Sequence, residues 1–169
     1  GEHPEGAVVT VLVEGGTKDS GASGGTPGEA RAAEPIRISA ERLVYTDHDR
    51  RAHYAGLVRL RRQQTTMAAA ALDAFLLPPE EVRPGQSRLE RAVARGAVEI
   101  LESSAEQVRR AAAEVAEYTT ADERMVLSGG EPYVYDEQRG YTRGRQLTYH
   151  VRDDRIFVHG DRGSRTVSE

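Results

Sequence analysis

The sequence predicts an all-β fold of stacked antiparallel hairpins built from one repeated unit. Three observations predict it. The first is a recurrent order of a small residue, an aromatic, and a glycine that opens a short apolar run. Ala40, Tyr45 and Gly56 form one copy; Ala70, Phe75 and Gly96 a second; Ala113, Tyr118 and Gly129 a third; Gly144, Tyr149 and Gly160 a fourth. The intervals Tyr45 to Gly56, Tyr118 to Gly129 and Tyr149 to Gly160 are equal, and the second copy is lengthened by a proline-rich insertion around residues 78–85. A fixed internal period outranks any local reading of the chain. The second observation is strand alternation in Ile36-Arg37-Ile38-Ser39-Ala40, and again in Tyr54, Gly56, Val58 and Leu60 with Arg59 and Arg61 on the other face. The third is composition. Of 169 residues, 38% are hydrophobic and only 5% aromatic, with no Trp, which suits a narrow sheet sandwich.

Taken in order, residues 1–14 contain Gly6-Ala7-Val8-Val9-Thr10-Val11-Leu12-Val13, β-branched and strand-like. Gly6-Ala7-Val8 resembles Gly96-Ala97-Val98, so this segment reads as the end strand of a preceding repeat unit. Residues 15–35 are rich in Gly, Ser and Pro and read as a flexible loop or linker. Residues 36–162 hold the repeats, and residues 163–169 are a polar tail. Leu43 and Tyr45 continue the apolar set of Ile36 and Ile38 with changed parity, which predicts a bulge near Glu41 or Arg42. Polar turns follow at Thr46 to Arg50 and Arg152 to Arg155, each joining two short strands as in a hairpin. Two segments oppose this scheme on local propensity. Thr66 to Leu77 and Ser104 to Tyr118 are alanine-rich, and Ser104 with Gln107 has the spacing of a helix capping box. Both occupy the place that Ile38 to Tyr45 holds in the first unit, so the repeat assigns them to strands.

Several function classes are excluded or weakened. The net charge of −4 argues against a nucleic-acid partner. The absence of Cys removes disulfides, thiol chemistry and Cys-based metal sites. No apolar run approaches the roughly 18 residues of a helical membrane span. No acid–base or nucleophile pattern suggests an enzyme, and no cofactor is expected. His48 and His53 beside Asp47 and Asp49, and His150 with His159 across the last turn, are candidate metal pairs. A solvated hairpin tip and an ordinary cross-strand polar pair explain them as well. Gly129-Gly130 lacks the lysine and spacing of a phosphate loop and reads as a turn before Pro132.

Several segments in register resemble the OstA-like, LptA-like family of periplasmic lipopolysaccharide-transport proteins. They are Ile38 to Tyr45, Ala55-Gly56-Leu57-Val58-Arg59-Leu60, Ala94 to Ile100, Ala113 to Tyr118, Val126 to Pro132 and Gly144 to Tyr149. The resemblance covers about residues 36–160. It implies an OstA-like β-jellyroll, an open V-shaped sandwich whose apolar interior carries the acyl chains of lipopolysaccharide or another acylated lipid. It also implies a periplasmic location, and head-to-tail pairing of edge strands with other jellyroll domains, including copies of this chain. On that basis the expected lipid-binding groove comprises Ile36, Ile38, Leu43, Val58, Leu60, Val98, Ile100, Val115, Leu147, Ile156 and Val158. Arg59, Arg61 and Arg62 are candidate phosphate contacts through charge-assisted hydrogen bonds. The alternative reading is a structural β-repeat that assembles head-to-tail and binds no lipid. The same apolar residues would then fill a closed core.

Overall fold

The computed structural model describes residues 8–12, 36–84 and 87–160. The expected loop at 15–35 and tail at 163–169 lie outside the described residues. Among the described residues twelve strands follow in order: β1 Val8–Leu12, β2 Ile36–Ala40, β3 Arg42–Thr46, β4 Arg51–Arg62, β5 Thr65–Leu76, β6 Leu89–Ser103, β7 Val108–Thr119, β8 Arg124–Ser128, β9 Tyr133–Asp136, β10 Gly140–Arg143, β11 Gln146–His150 and β12 Arg155–His159. All pairings are antiparallel. The expected hairpins β3–β4, β5–β6, β7–β8 and β11–β12 are all present. The insertion after β5 is a loop carrying one 3₁₀ turn at Pro79–Glu81.

Both alanine-rich segments are strands, β5 and β7. The capping signature has a different use. Ser104 Oγ accepts from the Gln107 backbone N–H at 3.0 Å, and the Ser104 N–H donates to the Gln107 carbonyl at 2.9 Å. Serine thus closes the β6–β7 hairpin turn. The hydroxyl satisfies local backbone donors in a turn as readily as at a helix start.

Four long strands, β4 to β7, bend together along one line. At that line the register shifts between Ala55 and Val58, between Ala68 and Ala71, and between Arg95 and Val98. Pairs of left-handed residues stand along this line. Gly56 (φ 79°) precedes Leu57 (45°), Gly96 (84°) precedes Ala97 (45°), and Gly129 (73°) precedes Gly130 (65°). Opposite them stand Glu41, Ala70 and Glu114, with the N–H groups of Glu41 and Glu114 donating to the carbonyls of Gly56 and Gly129 at 2.9 and 3.0 Å. The expected irregularity after Ala40 is this same feature: the chain breaks from β2 at Glu41 and resumes as β3. A β-carbon at Gly96 would stand 2.6 Å from the Ala70 β-carbon, so glycine is required for space as well as for φ. Three of the repeat glycines, Gly56, Gly96 and Gly129, are therefore crease positions.

The crease folds one sheet into two layers. The first layer takes β1, β2, the C-terminal half of β4, the N-terminal half of β5, the C-terminal half of β6, the N-terminal half of β7, and β9 and β10. The second takes β3, the remaining halves of β4 to β7, and β8, β11 and β12. One apolar cluster joins the facing surfaces. Ile36, Ile38, Val58, Ala69, Val98, Ala113 and Val134 come from the first layer; Tyr54, Leu72, Ala74, Ala94, Ala116, Leu127 and Leu147 come from the second. The sheet remains open, with β1 and β3 at one end and β10 and β12 at the other.

Candidate functional site

The space between the layers is lined by apolar side chains from end to end. Period-2 alternation places every second residue of each strand inside. Val58, Val98 and Leu147 are at most 1% exposed, while Leu43, Leu60, Met67, Ile100, Ile156 and Val158 are half-buried and pack on the same cluster. The lining is short-chained at its centre, where Ala69, Ala94, Ala113 and Ala116 stand on β5, β6 and β7.

Of the expected groove residues, Ile36, Ile38, Leu43, Val58, Leu60, Val98, Ile100, Leu147, Ile156 and Val158 are brought together. Val115 is not among them. It sits opposite Arg95 and Ser128, and the exposed Arg95 marks that row as the outer face of the second layer. The reason is the crease: the bulge at Gly96-Ala97 resets parity, so Ala113 and Ala116 point inward rather than Ala113 and Val115. The three arginines also divide. Arg59 and Arg61 are exposed on the outer face of the first layer, whereas Arg62 shares the inner face of Val58 and Leu60 at the layer's tip.

The histidine pairs separate too. His48 lies exposed in the β3–β4 turn, while His53 Nδ1 lies 2.7 Å from Asp73 Oδ1 on the outer face of the second layer. Arg95 donates to the other oxygen of Asp73 at 2.8 Å. His150 is paired with Arg155, and His159 with Gln146, so the two histidines sit at opposite ends of their hairpin. No group of metal-ligating side chains occurs among the described residues.

One buried polar cluster was not legible as a site. Arg109, near the tip of the first layer, reaches Asp136 at the end of β9 and crosses to Tyr149 and Asp154 of the second layer. Its Nε and Nη2 donate to Asp136 Oδ2 at 3.2 and 3.0 Å, Nη2 donates to Asp154 Oδ1 at 2.9 Å, and Nη1 donates to the Tyr149 hydroxyl at 2.6 Å. Arg139 adds a second bond to Asp154 at 2.9 Å. Asp136 is 2% exposed and also accepts the backbone N–H groups of Gln138 and Arg139. Burial alone would raise the Asp136 carboxyl and lower the Arg109 guanidinium. The donors around Asp136 outweigh that and hold its pKa below the usual carboxylate value, and Asp136 in turn holds Arg109 above its own. Asp154 is likewise lowered, its burial outweighed by Arg109, and Tyr149 is raised, chiefly by burial. The cluster ties the two layers together near the mouth of the sandwich at its C-terminal end. The signal that could have found it is alternation in Tyr133-Val134-Tyr135-Asp136: a strand that buries Val134 also turns Asp136 inward, where a carboxylate demands a cation.

The family model described as LptA/(LptD N-terminal domain) LPS transport protein matches residues 37–155. No curated protein matches the chain. Among solved structures, the chain is similar to the crystal structure of LptH from Pseudomonas aeruginosa, described as the LptA homologous periplasmic component of the conserved lipopolysaccharide transport device. The two are 19% identical, with a TM-score of 0.64 over 80% of this chain and 90% of that one. The shared feature is the fold, an open antiparallel β-jellyroll.

Proposed function

The chain belongs to the LptA/(LptD N-terminal domain) family of LPS transport proteins, and from that membership we propose that it is a non-catalytic lipopolysaccharide-transport module of the periplasm. Acyl chains lie between the two layers, and further jellyroll domains, including copies of this chain, join at the open sheet ends to bridge the inner and outer membranes. The observation that carries this reading is the continuity of the inner apolar cluster, from Ile36 and Leu43 at one end to Ile156 and Val158 at the other. Each acyl methylene buried there contributes about 0.8 kcal/mol without a directional bond, so a chain can slide. The ends suit assembly. Val44 and Tyr45 on β3 and Phe157 on β12 are each 49% exposed, on strands whose outer edge has no partner among the described residues. Such edges are satisfied by pairing with another chain's strand.

The test is a photo-crosslinking amino acid placed at Leu43 or Ile156, inside, and at Glu117, on the outer face of the second layer. The expected result is lipopolysaccharide adducts from the two inner positions and none from Glu117. Adducts from Glu117 alone, or lipid-free filaments that never label, overturn the lipid reading and leave a self-assembling scaffold.

A further inference from the structure

The outer face of the first layer carries an open depression of about 620 Å³ that the acyl-chain reading does not use. Its walls are Arg37, Arg59, Arg61 and Arg110, with Glu99 and Tyr133. Small side chains on β5 form its floor, since Thr66 and Ala68 occupy the centre between the flanking long ones. None of the four arginine side chains makes a hydrogen bond or ion pair with another of the described residues. This is unusual in a chain of net charge −4 with 27 acidic residues, most of which stand elsewhere. Arg37 also sits directly opposite Arg61 in the β2–β4 ladder. Like charges directly opposite one another destabilise a sheet, and no carboxylate among the described residues forms an ion pair with either arginine. A ligand anion would.

Bare anion binding does not account for Glu99. A carboxylate among the arginines repels phosphate but accepts hydrogen bonds from hydroxyl groups. Tyr133 presents an aromatic wall at the same depression, and it is backed by Tyr141, whose ring centre is 5.8 Å away. Aromatic faces pack against the C–H faces of sugar rings, and Tyr is favoured where a surface is partly apolar and partly wet. Arginine, hydroxyl acceptor and aromatic wall together select a ligand that brings negative charge, hydroxyls and an apolar ring face. The volume falls in the range of small-molecule sites. We propose that this depression is a binding site for a phosphorylated saccharide. It lies on the opposite side of the sheet from the acyl-chain groove, so it stands or falls separately from that reading.

The test uses ¹⁵N-labelled protein and follows amide and arginine side-chain shifts. Glucosamine 6-phosphate is expected to shift Arg59, Glu99 and Arg110, and to bind at least about tenfold more tightly than inorganic phosphate or glucosamine alone. R59Q/R110Q, altered only at exposed side chains, is expected to melt like the parent and to lose at least about tenfold in affinity. Y133A is expected to weaken the sugar phosphate and leave inorganic phosphate unchanged. Deacylated lipopolysaccharide provides the second source. Tighter binding of it than of the monosaccharide assigns the site to a glycolipid headgroup, and the reverse order assigns it to a free sugar phosphate. Equal affinity for inorganic phosphate, stronger binding of a hexaglutamate peptide, or no shift at these residues overturns the proposal. Crosslinking at Ile156, which packs on the inner cluster and does not line the depression, reports on the inner groove and is expected to be unaffected by R59Q/R110Q. A failure of one reading is thereby told apart from a failure of the other.

Discussion

Replacing Arg109 with Met removes the guanidinium that holds Asp136 and Asp154 while keeping most of the buried stem. Asp136 is 2% exposed, so the change strands a carboxylate in the interior. Removing one partner of a buried pair costs about 3–5 kcal/mol. Asp136 keeps the N–H groups of Gln138 at 2.9 Å and Arg139 at 3.2 Å, and the Gln107 amide, which puts R109M near the low end, about 3 kcal/mol. Asp154 is 44% exposed and adds little. For a domain of this size the loss lowers Tm by roughly 6–12 °C. Urea unfolding followed by circular dichroism measures it. The double variant R109M/D136N leaves no buried charge at this cluster and is expected to recover part of the loss. The pH dependence has a definite sign. Because the folded pKa values of Asp136 and Asp154 are depressed, their stabilisation is complete above the unfolded carboxylate value, about pH 4, and fades as pH falls through the folded values. The gap between parent and R109M therefore narrows in acid. A loss under about 1 kcal/mol at pH 7, or no recovery with D136N, would refute the reasoning.

Three further outcomes are expected. Gly96→Val combines a left-handed φ with a clash on Ala70, and should lower stability by more than about 2 kcal/mol in the same urea assay. Val98→Glu should abolish folding, as judged by loss of the strand signal in circular dichroism, whereas Val115→Glu, on the outer face, should change stability by less than about 1 kcal/mol. The chain has no Cys, so the double variant V44C/F157C reports cleanly on end-to-end pairing. Oxidation should give a ladder of disulfide-linked multimers on a denaturing gel, and monomer alone would rule out pairing of β3 with β12.

The hairpin order was legible because the repeat carries the residues that geometry cannot replace. Gly56, Gly96 and Gly129 are fixed by left-handed φ at the crease, and Ala70 by the missing space opposite Gly96. Those constraints survive in strands whose alanines favour helix. Inward and outward faces were legible up to the crease and not across it. Each bulge inserts one residue, so alternation counted from Ala113 puts Val115 inside when the strand has already switched. The β9–β10 hairpin lay outside the repeat and was missed, and with it Asp136 and the partners of Arg109. Surface charge was legible only as composition. Nothing in a one-dimensional reading says that Arg37 faces Arg61, or that Arg110 from a distant strand joins them around one depression.

Under the proposed acyl-chain reading, the crease and the polar clamp together constrain how a lipid enters. Inner residues such as Val58, Val98 and Leu147 are almost fully covered by the facing layer, so an acyl chain has to replace contacts between the layers. The layers are joined through the bulged line of Gly56, Gly96 and Gly129, the place where bending perturbs fewest ladder hydrogen bonds. The contacts given up are small at the centre, because Ala69, Ala94, Ala113 and Ala116 each offer a single methyl group. A twelve-carbon chain regains about 10 kcal/mol of burial, which offsets a modest parting of the layers. Parting is not equally easy along the stack. At the C-terminal end, Arg109 and Arg139 bond across the mouth to Asp154, and Arg109 cannot leave without exposing the Asp136 charge. On that reading the expected entry point is where the mouth lacks that clamp, nearer β2 to β5. Further along, the proposed path runs beneath a cross-layer tie that limits how far the sandwich can spread.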